Sequence, residues 1–265
     1  MSHKIHPKNY RLGYLLEWEN KWFNYSWNYS NFLSKNLKIY EYLDRVLFKH
    51  FLFLGDFSLK DDNNKLLISL ICYPFTETNK RISNSSCSQN NISWHSIHNI
   101  LQSYFGKSVQ INYYYCYSLL NHPNFITSWL CLFLEKEVDL KIILNHIKKI
   151  IEYEQKKNST RSEENCTNYS LRNCSRNQTN FGDYYYCNRI TWYDRFFGTK
   201  TIFLRGLKVL ISGRLQGLQN QMATTEMIEV GTVPLQTKEY IIIYSFKDFV
   251  TKHGTYGIKV WLFYK

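Results

Sequence analysis

Glycine divides the end of the chain into strand-length pieces, and this spacing restricts the fold more than any other feature. Gly206–Gly217 reads G-L-K-V-L-I-S-G-R-L-Q-G, residues 231–237 read G-T-V-P-L-Q-T, and residues 255–263 read T-Y-G-I-K-V-W-L-F. The first and last runs alternate apolar and polar residues, the two-residue period of a half-buried strand. Between them, Met222, Ile228 and Val230 are too few to define a helix by spacing, but the polar stretch Gln219–Glu229 is helix-like in composition. Gly213, Gly217 and Gly231 fall where a strand turns or a backbone passes close to something. Arg214 stands between two of them, a position that suits a cation facing phosphate oxygens.

The 265 residues are enough for two small domains with separate cores. A net charge of +12 favours a polyanionic partner. Asn, Lys, Ile, Tyr and Phe abound, whereas Ala223 is the only alanine and there are four prolines. Those abundant residues have AT-rich codons, which points to an organellar genome. No window reaches the roughly 18 uninterrupted apolar residues of a spanning helix, and the longest run, Phe125–Phe133, is broken by Thr127 and Ser128. No membrane association, signal peptide or Arg- and Ser-rich transit segment is therefore expected.

The seven cysteines form no C-x-x-C pair. Cys166, Cys174 and Cys187 lack the two-to-four-residue spacing usual among zinc ligands, so reduced thiols without a metal or cofactor are expected. Asn-x-Ser/Thr triplets at Asn84, Asn158, Asn165, Asn168, Asn173 and Asn177 follow from the Asn-rich composition.

Residues 1–50 read as a basic, aromatic extension ending in a helix, with Phe32, Leu33, Leu37, Tyr40, Leu43, Val46 and Leu47 near helical spacing. Trp18, Trp22 and Trp27 precede that helix and suit either packing onto a globular body or stacking on bases. Residues 51–157 read as one α+β domain. Leu66–Tyr73 is a buried strand, Thr76–Asn91 a polar loop, and Ile92, His95, Ile97, Ile100, Leu101 and Tyr104 a helical stripe stopped by Gly106. Val109–Tyr117 alternates like a strand. One long helix is then expected over Asn124–Lys157, with Leu130, Leu134, Val138, Ile142, Ile143, Ile147 and Ile150 on one side. Residues 158–200 form a separate segment: its first half, Asn158–Gln178, is polar, and its second, Tyr184–Phe197, is aromatic enough to dock. Arg161, Arg172, Arg176, Arg189 and Arg195 make it either an RNA-contacting arm or a tolerated surface loop.

The C-terminal run over residues 201–265 resembles the C-terminal domain of the universal small-subunit ribosomal protein S-three family. The opening K-I-H-P-K-N-Y-R-L-G (Lys4–Gly13), followed by W-E-N-K-W-F (Trp18–Phe23), is similar to that family's N-terminus. The resemblance implies an α+β fold: a prokaryotic-type (type II) KH domain, a C-terminal α/β domain and an N-terminal basic extension. Because the matching motif starts almost at Met1, the chain is expected to be made inside its organelle, a mitochondrion in preference to a plastid.

By the same resemblance the partners are the 3′ (head) domain of small-subunit rRNA, mRNA, and the neighbouring S-ten and S-fourteen types of protein. RNA contacts are expected from Lys4, His6, Lys8, Arg11, Trp18, Lys21 and Trp22, from Lys208, Ser212, Arg214 and Gln216, and from Thr232, Lys238, Thr255 and Lys259. A working KH module clamps nucleotides with a G-x-x-G loop. Here the corresponding segment, between Tyr73 and Ile92, contains no glycine, so the clamp is expected to be lost. The family's basic helix at the messenger entry corresponds to Leu134–Lys149. It retains Lys141, Lys148 and Lys149 but adds Glu135, Glu137 and Asp139, so the unwinding contribution is expected to be weakened.

Two other readings compete. A nuclease needs clustered carboxylates or a histidine acid–base pair. Asp61 and Asp62 are adjacent, and His95 and His98 lie three apart on a helix, but no catalytic motif accompanies them. A free KH-type RNA regulator would need the clamp that the glycine-free loop lacks.

Overall fold

The computed structural model describes residues 5–16, 18–62, 65–74, 93–116, 119–136, 138–160, 184–185, 189–194, 198–215, 222–251 and 254–265. In chain order these form α1 (Pro7–Arg11), β1 (Asn20–Lys21), α2 (Ser26–Lys49), β2 (Leu52–Asp62), β3 (Lys65–Pro74), α3 (Trp94–Phe105) and β4 (Ser108–Cys116). They continue with α4 (Pro123–Glu135), α5 (Leu140–Thr160), β5 (Tyr184–Tyr185), β6 (Arg189–Asp194), β7 (Gly198–Gly213), β8 (Thr224–Gly231), β9 (Ile241–Thr251) and β10 (Gly254–Tyr264). The fold is α+β, with two five-stranded sheets. The described residues of Trp18–Tyr117 and Gln178–Tyr185 form one compact unit, and those of Met1–Glu17, Ser118–Asn177 and Tyr186–Lys265 form the other.

In the first unit, β3 pairs antiparallel with β2 and parallel with β4. The period of two puts Leu66, Ile68, Leu70 and Cys72 of β3 on one buried face. Helix α2 covers it with Phe32, Ile39, Leu43 and Leu47, and α3 with Ile97 and Leu101. The stripe of α2 thus runs through Asn36 and Ile39, while Leu33, Leu37 and Tyr40 of the expected stripe face outward. Gly106 ends α3 in the left-handed conformation, φ 68°, as its position suggests. Strand β2 has no counterpart in the sequence reading. Gly55-Asp56 interrupts its apolar run like a turn, whereas the register shift between Leu54 and Phe57 absorbs the pair within the strand.

In the second unit the sheet order is β6-β7-β10-β9, with β8 also paired to β7. Leu207, Val209, Ile211, Ile258, Val260 and Leu262 point to one face and are fully buried. That face packs against α4 and α5. Helix α4 starts at Pro123, where a missing N–H costs nothing, and His122 Nδ1 accepts from the Asn124 N–H. Tyr264 donates its hydroxyl to the Leu120 carbonyl at 3.0 Å, tying the last strand to the turn before α4. Cys131 is buried in this layer, and desolvation pushes its thiol up to about 11, so it stays protonated at neutral pH.

Two expectations need correction. The long helix over Asn124–Lys157 is two helices: α4 closes at Lys136, and α5 restarts where the Asp139 carbonyl accepts from the Ile142 and Ile143 amides. The restart shifts the helical phase, so Ile143, Leu144, Ile147 and Ile151 are buried whereas Ile142 is 60 % exposed. Both helices belong with the C-terminal sheet, not with a domain spanning 51–157. The second correction concerns Gln219–Glu229, whose described part is strand β8. Its β-branched and apolar residues pair with β7 over Thr224–Gly231, and that pairing overrides the helical propensity of its glutamates.

Among the described residues, no helix is long and apolar enough to cross a membrane. The glycine-free loop, Cys166, Cys174, Cys187, Arg161, Arg172, Arg176 and Arg195 lie outside the described residues. Within residues 158–200, β5 pairs with β4 and β6 with β7.

Candidate nucleic-acid interface

The sheet of the second unit has one face under α4 and α5 and another turned away from them. Alternation along β7, β8, β9 and β10 places three cross-strand rows on this outer face. Tyr244, Trp261, Lys208 and Glu229 form one row; Phe246, Lys259, Leu210 and Met227 form the next. Asp248, Gly257, Ser212 and Thr225 form the third.

The rings and cations of the first two rows touch one another. Tyr244 and Trp261 have ring centroids 5.2 Å apart, and Lys259 Nζ lies 5.7 Å from the Phe246 ring centre. Lys208 Nζ meets Glu229 at 3.0 Å, with Lys208 the more covered of the two. Ser212 donates its hydroxyl to the Gly257 carbonyl at 3.2 Å, leaving the oxygen free to accept. Phe246 is 50 % exposed and Met227 54 %.

One end of the outer face is closed. Gly206 lies against the backbone of Thr232, where any Cβ would overlap the Thr232 carbonyl oxygen. Beyond it, Tyr240 packs edge-on to Phe263, and α1 sits on β9 with the His6 ring 4.7 Å from Tyr244. Burial and the charge of Lys8 lower the His6 pKa and favour the neutral ring.

Three of the expected RNA-contacting residues, Lys208, Ser212 and Lys259, come together on this face. Arg214 is half-buried at the end of β7, where its carbonyl accepts from Tyr256 Oη at 3.0 Å. Thr255 is exposed at the start of β10. Thr232 and Lys238 are exposed at the opposite, closed end, with Lys238 Nζ 4.9 Å from the Tyr10 ring centre. His6 and Lys8 flank that end on α1, whereas Lys4 and Gln216 lie outside the described residues.

Arg11 is the correction in this set. Its side chain is fully buried and donates to the carbonyls of Pro7, Pro234, Leu235, Thr237 and Tyr240 at 2.7–3.4 Å. A guanidinium held by five carbonyls inside the protein is not available to phosphate. Burial lowers its pKa.

In the first unit, Trp22 packs on Phe32 at 4.8 Å and Tyr29 at 5.2 Å, whereas Trp18 and Trp27 stay exposed and so does Lys21. Trp22 is thus packed on α2, while Trp27 stacks on Tyr25, 6.4 Å away. Lys141, Lys148 and Lys149 are exposed on α5, in the unit of the C-terminal sheet. The pairs considered for catalysis serve structure. Asp61 accepts from Lys107 Nζ at 2.8 and 2.9 Å, and His98 Nε2 lies 2.7 Å from the Val109 carbonyl.

Sequence reasoning missed Tyr244, Phe246 and Trp261. Their signal was present as Tyr244-x-Phe246 and Lys259-x-Trp261, ring and cation two apart within strand-length runs.

Residues 199–262 match the family model "Ribosomal protein S3, C-terminal domain", a range that holds β8 and β9 and nearly all of β7 and β10. The chain is also similar end to end to a small ribosomal subunit protein uS3 of Desulforamulus reducens, 25 % identical over 263 residues, 99 % of this chain and 92 % of the relative. Over its whole length the chain is similar to uS3 proteins. Its C-terminal stretch is similar more strongly to the uS3 of Fervidobacterium nodosum, 48 % identical over 59 residues, 22 % of this chain and 27 % of that protein. A uS3c protein of Thalassiosira pseudonana is 48 % identical over 60 residues, 23 % of this chain and 27 % of its own length. Each of these relatives is named as a small ribosomal subunit protein.

Proposed function

We propose that the chain is a structural constituent of the small subunit of a mitochondrial ribosome. It binds the 3′ head domain of small-subunit rRNA beside the S-ten and S-fourteen types of protein, and it helps to form the mRNA entry channel. The observation that carries the reading is the C-terminal match, which coincides with a sheet face bearing Lys208, Lys259 and Ser212. Cations, hydroxyls and rings on one surface are what adhesion to RNA requires. The net charge of +12 and the AT-rich residue usage agree with an RNA-bound protein of organellar origin.

The first unit runs helix, two strands, an undescribed segment, helix, strand, an order compatible with a type II KH domain. Its clamp segment has no glycine, so this unit serves as a body and not as a nucleotide grip. At the messenger entry, Lys141, Lys148 and Lys149 provide the cations, with Glu135 and Asp139 nearby in sequence reducing the field.

The test is composition. Mitochondrial and plastid small subunits, isolated on high-salt gradients, are analysed by mass spectrometry. The chain is expected in equal amount with other small-subunit proteins of the mitochondrial particle. Its recovery only as free protein would support a soluble RNA regulator, and recovery in the plastid particle would move it to the other organelle.

A further inference from the structure

The rings on the outer sheet face are unexplained by folding. Phe246 is half exposed, and Tyr244 and Trp261 are only partly covered although they sit in the middle of β9 and β10. The opposite face of the same strands supplies the fully buried core. An aromatic cluster left facing outward is unfavourable by itself in water and marks a contact surface.

We infer that this face is a stacking platform for unpaired RNA bases. Its centre consists of Trp261 and Tyr244 in one row and Phe246 in the next, with a phosphate of the same strand meeting Lys259. The inference rests on the RNA-binding function proposed above and specifies which surface takes single-stranded RNA, and by what chemistry. The neighbours of the rings support it. The rings lie within one cross-strand neighbour of a cation, Trp261 opposite Lys208 and Phe246 opposite Lys259. Every base has a π-face, so such a surface accepts any sequence, whereas duplex RNA keeps its bases stacked inside.

The charges on this face are sorted by strand, two cations against two acids. The central strands β7 and β10 carry only cations on this face, Lys208 and Lys259. The acids, Glu229 and Asp248, belong to the flanking strands β8 and β9, and Glu229 is held by Lys208. The closed end directs a strand across the sheet, since segment 232–240 and α1 block passage beyond Tyr244.

The experiment uses the full chain with a fluorescein-labelled oligouridylate of about 10 nucleotides and an RNA duplex of the same length, followed by anisotropy at fixed salt. Phe246→Ala and Trp261→Leu are expected to weaken single-strand binding by about tenfold or more each, the loss that follows from one base–aromatic stack. Trp261→Phe, which keeps a ring, is expected to stay within about twofold of the parent. Duplex binding is expected to change less than about twofold in all three. Equal losses for both RNAs, or no loss with Phe246→Ala and Trp261→Leu, would overturn the platform while leaving RNA binding intact. Variants that bind the oligonucleotide normally but fail to enter the small subunit would show a protein on this face and also overturn it. If the unsubstituted chain binds neither RNA, the function proposed above fails as well.

Discussion

Replacing Arg11 by alanine is expected to destabilise the C-terminal unit by about 3–5 kcal/mol in urea unfolding of the full chain. The guanidinium is fully buried, and its Nε, Nη1 and Nη2 nitrogens reach five backbone carbonyls, the shortest being Thr237 at 2.7 Å and Tyr240 at 2.8 Å. Four of these carbonyls belong to the segment that connects β8 to β9, which makes no ladder hydrogen bonds of its own. Removing the donor leaves those oxygens buried without partners, which costs more than the hydrogen bonds contribute on average. Arg11→Lys should rescue little, because one ammonium cannot reproduce a planar fork that spans both ends of the loop. Asn9→Ala, at an exposed position of the same short helix, is the matching control and should change stability by under about 0.5 kcal/mol. A loss below about 1 kcal/mol for Arg11→Ala would mean that the segment does not depend on the guanidinium.

A comparable loss is expected from Gly231→Ala, about 2–5 kcal/mol. Gly231 ends β8 with φ 75°, a left-handed conformation costly for any residue with a Cβ. An added Cβ would also overlap the Arg205 carbonyl oxygen on the neighbouring strand. The obstacle is backbone on a paired strand and cannot rotate aside. Gly254 gives the comparison, since it too has positive φ, 136°, but open space where a Cβ would stand. Gly254→Ala therefore isolates the conformational cost from the collision. Similar losses at both positions would show that the close approach of β7 and β8 contributes little to Gly231.

Much of this architecture could be read from the residues, and the failures have physical causes. Strands β3, β4, β7 and β10 were legible because one face of each is buried and the other is not, so their side chains alternate. Strand β8 was not, because Glu226, Met227 and Glu229 favour helices locally and only the ladder with β7 decides otherwise. The break between α4 and α5 lacks proline or glycine; Asp139 and the change of buried face set it, and both depend on the sheet underneath.

The candidate site divides the same way. Lys208, Ser212 and Lys259 share a face because the strands that carry them are β7 and β10, both legible in the sequence. Arg11 was misread because its pattern, a basic residue in a basic N-terminal run, is the same whether it faces phosphate or carbonyls. Only the fold brings residues 234–240 to it, more than 220 positions along the chain. Tyr244, Phe246 and Trp261 were not singled out because composition alone does not say which face of a sheet is covered.

The central claim is that the chain holds small-subunit rRNA. Its most direct test is ultraviolet cross-linking within isolated small subunits, with the linked peptides and nucleotides identified by mass spectrometry and sequencing. The account predicts cross-links from peptides carrying the outer sheet face, residues 241–251 and 254–264, to unpaired nucleotides of the 3′ domain. Cross-links from those peptides to other rRNA domains, or their absence while other small-subunit proteins cross-link normally, would contradict it.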